Sequence, residues 1–144
     1  MPDKYFWDSN LWVYLFTQSQ SPDDVKKRSK LQQLLLVIPN IVVSAQMLNE
    51  AANVLFRKYN CSVAEVRMHL GQIRLQCEVA FLTDSLTFSA LDLKERYQLG
   101  WFDSLIAAAA LDARCKFLYS EDFQDGLIIE SQLTVVNPFL HSVV

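Results

Sequence analysis

The sequence predicts an α/β fold with a central, mostly parallel sheet. Short apolar runs of strand-forming residues alternate along the chain with longer stretches of helical periodicity, as in repeated βαβ units. Several acids lie just after the strand-like runs, where open parallel sheets bind their ligands. We therefore expect a three-layer α/β/α sandwich with four to five strands, formed by a single domain over residues 1–144.

The first half of the chain contains two of the predicted strands. Asp8–Asn10 are capping residues that follow an aromatic run, so a helix is expected to begin there. Pro22, with acids behind it, marks the start of the next helix, and Ser44 is placed to cap a third. The predicted elements are a strand at 5–7, a helix at 11–16, a helix from 22 to 34 or 35, a strand at 41–43 and a helix at 45–59.

The second half continues the alternation. Asn60–Cys61 breaks the helical pattern and makes a helical hairpin, Gly100 separates two later helices, and Asp125–Gly126 is a turn signal. The Ala-rich run from Phe102 to Leu111 is apolar on all sides, so this helix is expected to be buried. The predicted elements are a helix at 62–75, a short strand at 78–82, a helix at 85–97, the Ala-rich helix, and strands at 116–119 and 133–136.

Composition excludes several classes of protein. The chain is 51% hydrophobic with only 3 Gly and 4 Pro, which argues against disorder. No apolar run approaches the roughly 18 residues that a membrane span needs, and the start lacks a basic segment followed by an apolar one. We therefore expect a soluble, cytoplasmic protein. The three cysteines are odd in number and far apart, so reduced structural thiols are expected rather than disulfides or a zinc site: Cys61, Cys77 and Cys115.

Acidic residues are placed to meet at one edge of the predicted sheet. Asp8 directly follows the first strand, Glu50 lies about a turn into the helix after the second, and Asp122 follows the strand ending at Tyr119. Asp103 opens the Ala-rich helix, where an anion is favourable at a helix N-terminus, so spacing alone is also compatible with a plain capping role. Asn137 follows the last strand as a neutral ligand or an orienting group.

A cluster of carboxylates calls for a cation. Acids that share one rim repel one another, and their pKa values rise unless a positive ion is present. An oxygen-only ligand set suits Mg²⁺ or Mn²⁺, while His69 and His141 fall outside the set. Carboxylate metal sites commonly serve phosphoryl chemistry.

Charge leaves the nature of the partner open. The formal net charge of -3 taken alone argues against nucleic acid, but without the four candidate ligands 12 Asp and Glu remain against 13 Lys and Arg. Basic residues cluster over 26–30 and at Arg57–Lys58. Such clusters are either solvated helix faces or contacts to RNA.

The motifs around these acids resemble those of the PIN-domain family, most of all the VapC-type toxins of type II toxin–antitoxin systems. The resemblance covers essentially the whole chain and rests on four segments: Asp8–Asn10, Gln46–Glu50, Phe102–Ala109 and Leu118–Gly126. It implies a Mg²⁺- or Mn²⁺-dependent endoribonuclease that hydrolyses RNA, tRNA being one candidate. It also implies a homodimer that a cognate antitoxin inhibits.

The resemblance assigns roles by position. Asp8, Glu50, Asp103 and Asp122 would be the catalytic metal ligands. Asn10 would orient Asp8 or a substrate phosphate, the Ser120 hydroxyl would hydrogen-bond the acids, and two further residues are left with open roles. Asn137 stands where an acid is expected, and Asp125 is either an alternative ligand or a structural turn residue.

Two other functions compete with the nuclease. A catalytically silent PIN-fold protein would only bind a partner, although all four acids are present. A phosphoryl-receiver signalling domain also has acids at strand ends, but it normally carries a Lys after the last strand, where this chain has Asn137–Pro138. The helical hairpin from Met47 to Ile73 is more apolar than a monomer needs and is the expected dimer interface.

Overall fold

A computed structural model describes residues 2–142 of the chain. Two helices separate each of the first four strands from the next, in the order that the sequence pattern predicts. The elements are β1 (Tyr5–Trp7), α1 (Ser9–Phe16), α2 (Pro22–Val37), β2 (Ile41–Ser44), α3 (Ala45–Arg57), α4 (Val63–Gln76), β3 (Glu78–Ala80), α5 (Asp84–Tyr97), α6 (Trp101–Asp112), β4 (Phe117–Tyr119), β5 (Ile128–Ile129) and β6 (Leu133–Val136), followed by a 3₁₀ turn at Pro138–Leu140.

The strands form one sheet in the order β3-β2-β1-β4-β6-β5. All neighbours pair in parallel except β5, which runs antiparallel to β6. The chain moves outward from β1 to β2 and β3, then returns to the other side of β1 with β4. This reversal is a topological switch point, so a crevice opens between the carboxyl ends of β1 and β4.

Helices cover both faces of the sheet. Right-handed crossovers place α1 to α4 on one face, and the return from β3 to β4 places α5 and α6 on the other. The packing agrees, because α1 contacts α2 and α3, α3 contacts α4, and α5 packs along α6. A single apolar core runs through the structure, with Phe6, Trp7, Leu118 and Val135 of the sheet almost fully buried within it.

The predicted fold class and the three-layer arrangement are confirmed. The sheet has six strands, one more than the upper number predicted, because the two-residue β5 is defined only by its pairing with β6. Helix α2 extends to Val37, two residues or more beyond its predicted end. The single domain over 1–144 stays a prediction, and residues 1, 143 and 144 of that range lie outside the described part of the chain.

The structure also describes the apolar character of the helices and the state of the cysteines. No helix within residues 2–142 combines the length and apolar character needed to cross a membrane. The three cysteines are free thiols, of which Cys115 is buried and Cys61 and Cys77 are partly buried. Burial raises the pKa of the Cys77 and Cys115 thiols to about 12, so both remain protonated at neutral pH.

The Ala-rich helix α6 is buried over most of its length, as predicted. Ala107 to Ala110 and Ile106 are at most 2% exposed, and the small side chains allow α5 and the sheet to approach the helix backbone. Ser104 Oγ donates a hydrogen bond of 2.8 Å to the Gly100 carbonyl, so the only polar residue in this buried stretch of the helix is satisfied locally. Helix α6 is therefore held close to α5 and the sheet along its buried length.

Replacing Ala107 by Leu tests this packing. Because a fully buried alanine has no room for three more carbons, Ala107→Leu should lower the free energy of unfolding by about 1–3 kcal/mol. Urea unfolding measures the change. Ala64→Leu, at an exposed position of α4, is the matched control and should change stability by about 0.5 kcal/mol or less. Equal stability of the two variants would contradict close packing of α6.

Candidate functional site

Asp8 is the most deeply buried acid of the candidate site, with 3% of its surface exposed. It directly follows β1, and its backbone N–H donates to the Tyr119 carbonyl of β4 (3.0 Å). As the N-cap of α1 its Oδ1 accepts a hydrogen bond from the Ser9 backbone N–H (2.7 Å), and its Oδ2 accepts from Ser120 Oγ (2.8 Å). The carboxylate is thus fixed from both sides of the switch point.

Glu50 approaches Asp8 from α3. Ser44 caps this helix, as predicted, through a bond from the Met47 backbone N–H to its hydroxyl, which places Glu50 in the second turn. Glu50 Oε2 accepts from Ser9 Oγ (3.4 Å), and Glu50 Oε1 accepts from Gln46 Nε2 (2.6 Å). The Ser9 residue therefore contacts both acids.

Asp122 approaches from the loop after β4. Its Oδ2 accepts a hydrogen bond from Asn10 Nδ2 (2.9 Å), and its backbone N–H donates to Ser120 Oγ (3.1 Å). Because the Ser120 hydroxyl also donates to Asp8, one buried hydroxyl links the loop to the end of β1. Ser120 hydrogen-bonds Asp8, as the resemblance implies, whereas the acid that Asn10 contacts is Asp122 and not Asp8.

Asp103 lies in the first turn of α6, half-buried. It is not the N-cap, a position that Gly100 occupies without a side-chain hydrogen bond. Burial raises the pKa of the Asp103 carboxyl, and the negative charges of Asp122 and Glu50 raise it further. Asp103 is therefore close enough to both acids to feel their charge, even though it comes from the opposite face of the sheet.

The negative charges of neighbouring acids raise pKa values within the candidate site. Burial raises the pKa of Asp8 to about 7, against the hydrogen bonds from Ser120 and Ser9, which lower it, and the charges of Asp122 and Glu50 add to the rise. The pKa of Asp122 is raised by burial and by the neighbouring Glu121. Ionising the whole cluster is consequently unfavourable unless a positive charge accompanies it.

The donor set fits a hard divalent cation. The candidate carboxylates come from four segments of the chain, and Asn10 Oδ1 and Gln46 Oε1 are buried neutral acceptors without a hydrogen-bond partner in the described part of the chain. Among residues 2–142, however, no three His, Cys, Asp or Glu side chains are grouped closely enough to hold a metal ion. Mg²⁺ is commonly held by one or two carboxylates, with waters and substrate phosphates completing its shell, so an open set remains compatible with such an ion.

Two predicted supporting residues make their contacts elsewhere. Asp125 Oδ1 accepts from the Asn137 backbone N–H (2.8 Å), and both its oxygens lie 3.0 Å from His141 Nε2. The Asn137 side chain caps the 3₁₀ turn by accepting from the Phe139 N–H (3.0 Å). These bonds support the structural interpretation of Asp125, and they tie the end of the chain to the loop that carries Asp122.

Sequence reasoning missed Gln46. Its Nε2 donates to Glu50 Oε1 and to the Phe102 carbonyl (3.2 Å), so one buried amide joins the helix of Glu50 to the helix of Asp103. The spacing of four residues from Glu50 on one helix face was the available signal. The contact to Phe102 is a tertiary one and leaves no local pattern.

A second missed group surrounds Glu121, the residue before Asp122. Its Oε1 accepts from Tyr14 Oη (2.5 Å) and its Oε2 from Lys27 Nζ (3.1 Å). Burial lowers the pKa of Lys27, but its bonds to Tyr14 and Glu121 outweigh this effect and hold the pKa above its usual range. Lys27 therefore neutralises an acid at the border of the candidate site.

Comparison with known sequences identifies the family of this chain. The sequence profile of the PIN domain matches residues 5–124, which include all four acids. The chain belongs to the PIN-domain family. This membership confirms the family resemblance on which the assignment of the acids rests. None of the curated protein sequences compared with this PIN domain matches it significantly.

Solved structures with the same fold include several toxins. VapC20 of Mycobacterium tuberculosis, described as a sarcin–ricin loop cleaving toxin, has a TM-score of 0.67 at 19% identity, over 83% of this chain and 90% of that chain. A toxin–antitoxin complex from Klebsiella pneumoniae has a TM-score of 0.67 at 20% identity, over 94% of this chain and 98% of that chain. VapBC2 of Rickettsia felis, bound to a DNA fragment of its promoter, has a TM-score of 0.63 at 17% identity, over 92% of this chain and 98% of that chain. The similarity to VapC-type PIN domains is thus confirmed at the level of the fold.

The buried Asp8 predicts an unusual dependence of stability on pH. In unfolded protein an Asp ionises near pH 3.9, whereas folded Asp8 ionises only near pH 7, so the metal-free wild type should lose stability as the pH rises between these values. Asp8→Asn removes this loss. At pH 8 in EDTA, its free energy of unfolding in urea should exceed that of the wild type by about 1–3 kcal/mol, and the difference should shrink at pH 5.

Asp112→Asn is the control for this comparison, because Asp112 is exposed at the far end of α6. It should differ from the wild type by about 0.5 kcal/mol or less at either pH. A pH dependence of Asp8→Asn equal to that of the wild type would contradict a raised pKa for Asp8.

Proposed function

We propose that this PIN-domain protein is a Mg²⁺- or Mn²⁺-dependent endoribonuclease of the VapC type. The observation that carries the proposal is the convergence of acids from four separate connections between strands, at the switch point of the sheet. Asp8, Glu50, Asp103 and Asp122 come from positions as far apart as 8 and 122, yet their charges act on one another. Membership of the PIN-domain family supports a nuclease, and the fold shared with VapC toxins supports a toxin.

The four acids would hold the metal and the remaining side chains would orient them. When bound, a divalent ion supplies an activated water and offsets charge that develops on the phosphodiester oxygens. Asp8 is immobilised by Ser9 and Ser120, while Asn10 holds Asp122. Asp103 and Asp122 stand nearer to solvent than Asp8, so a substrate phosphate reaches the cluster from their side.

An antitoxin is the proposed protein partner. Two of the structures that share the fold are complexes of a toxin with its antitoxin. The family resemblance also implies a homodimer, for which the hairpin of α3 and α4 remains the proposed interface. Phe56, Val63 and Met68 of that hairpin are 40%, 62% and 54% exposed, which is consistent with an apolar surface that a second subunit covers.

The competing functions differ in what they require of the acids. A silent scaffold needs no ionised cluster, so the costly burial of Asp8 favours a catalytic role. The match of residues 5–124 to the PIN domain removes the basis for a phosphoryl-receiver domain. The choice between nuclease and scaffold depends on a cleavage assay.

Asp103→Asn should abolish cleavage without unfolding the protein. Loss of one ligand carboxylate should reduce the rate of cleavage of total cellular RNA in Mg²⁺ by roughly 100-fold or more, as for other single electrostatic contacts to a transition state. Asp103 is only half-buried, so the circular dichroism spectrum and the thermal midpoint should stay close to those of the wild type. Gel analysis of RNA labelled at its ends measures the rate.

Asp112→Asn again serves as the control, because it removes the same charge from the same helix at its other end. It should cleave RNA at the wild-type rate. Equal cleavage by Asp103→Asn and the wild type, including in Mn²⁺, would overturn the ligand assignment. Wild-type protein that cleaves no RNA in either metal would favour the scaffold.

Gln46→Met tests whether the amide positions Glu50. Methionine fills a similar volume but cannot donate to Glu50 or to the Phe102 carbonyl. We expect affinity for Mn²⁺, measured by titration calorimetry, to fall by roughly 10- to 100-fold, the usual effect of removing a group that orients a ligand. Gln32→Met, at an exposed position of α2, should bind Mn²⁺ like the wild type. Unchanged affinity in both variants would leave Gln46 only a packing role.

A further inference from the structure

A groove of about 550 Å³ runs between helix α2 and the C-terminal 3₁₀ turn. Lysines dominate its lining, with Lys26, Lys27 and Lys30 on one wall and the Phe139 ring on the other. Asp23 is the one acid among its lining residues in the described part of the chain. The formal net charge of the protein is -3, so a groove lined mainly by lysines is opposite in charge to the protein as a whole. We call it the α2 groove.

The three lysines do not have the same role. Lys27 is committed to the protein, because its Nζ lies 3.1 Å from Glu121 Oε2 and 3.1 Å from Tyr14 Oη, and its charge faces the Tyr14 and Phe139 rings. Lys26 and Lys30 take part in no salt bridge found within residues 2–142. Spaced by four residues, they project from neighbouring turns of one helix face, so their two charges remain available to an anion with more than one charged group.

The α2 groove adjoins the acidic cluster. Glu121 accepts the bond from Lys27 at the end of the groove, and the next residue, Asp122, is held by Asn10 within the cluster. Glu121 therefore joins the groove to the loop that carries Asp122. Lys27 offsets the charge of Glu121 at this border, so an anionic strand meets no unpaired acid at that residue.

We propose that the α2 groove binds the backbone of the RNA strand on one side of the scissile phosphate, with Lys26 and Lys30 each contacting a phosphate. The inference rests on the proposed nuclease function and adds the path of its substrate. Polyanion binding by unpaired lysines beside an aromatic ring is the usual chemistry of single-stranded RNA, where phosphates provide affinity and a ring stacks on a base. The half-buried Phe139 ring lines the groove but already packs against Lys27 and Tyr14. Lys26 and Lys30 therefore carry the proposal.

The test compares RNA binding of K26Q/K30Q with that of the unsubstituted lysines, both in the Asp103→Asn background in Mg²⁺ so that cleavage does not consume the RNA. Fluorescence anisotropy with a labelled single-stranded RNA gives the affinity at several salt concentrations. Each lost contact to a single strand reduces the slope of log K against log salt by about 0.7, so the double variant should lose about 1.4. At about 0.1 M salt this corresponds to a loss of affinity of roughly tenfold or more.

K4Q/K116Q is the matched control. It removes two lysines with the same chemical change, but Lys4 and Lys116 precede β1 and β4 and so lie at the amino edge of the sheet, opposite the acids. Their ion pairs with Glu78 and Asp3 are largely exposed and contribute little stability. K4Q/K116Q should have the same salt slope and affinity as the Asp103→Asn background. K26R/K30R keeps both positive charges of the groove and should also match the background.

The outcomes separate the groove from the nuclease. A slope and affinity of K26Q/K30Q equal to those of K4Q/K116Q, or a background that binds no RNA, would overturn the groove. In the otherwise unsubstituted enzyme, KM for the same RNA should rise with K26Q/K30Q and not with the control. A background that still cleaves RNA in Mg²⁺ would instead contradict the ligand assignment. The salt slopes of the two double variants would then be compared in EDTA, where the groove is tested without cleavage.

Discussion

The carboxylate of Asp8, buried at the carboxyl end of the central strand, is the constraint on which the rest of the site depends. Strands on both sides of β1 define its position, and its own backbone N–H is used in bonding to Tyr119 of β4. Two hydrogen bonds stabilise its ionised form, from the Ser9 backbone and from Ser120 Oγ. Burial nonetheless raises its pKa to about 7, so those bonds do not fully replace the water that Asp8 loses on folding.

The four candidate acids differ in how far they are exposed to solvent. Asp8 is buried and accepts two hydrogen bonds, and Glu50 accepts hydrogen bonds from Ser9 and Gln46. Asp103 and Asp122 are more exposed to solvent. A site that must exchange water and admit a phosphate cannot be a closed cage of protein ligands.

Local patterns in the sequence were sufficient for most of the fold and for three of the four acids. Asp8, Glu50 and Asp122 follow strands, and the carboxyl ends of parallel strands meet by geometry. Asp103 follows no strand, and it reaches the site only because α6 runs back from the carboxyl edge after the crossover from β3. The two residues of β5 carry no periodicity, and Gln46 acquires its role from the Phe102 carbonyl 56 positions away, so neither was predictable from a local window.

Separation of charge explains how an acidic protein can act on a polyanion. Acids concentrated at the switch point would repel RNA at long range, and this repulsion ends only where a cation neutralises them. The border residue Glu121 has a neutralising partner within the protein, Lys27, whereas Lys26 and Lys30 form no salt bridge within residues 2–142. Apart from the four candidate ligand acids, 12 acidic residues face 13 basic ones, so the remaining charges nearly balance. If the proposed nuclease function holds, Lys26 and Lys30 beside the acids are the feature that gives an RNA strand a preferred direction from the site.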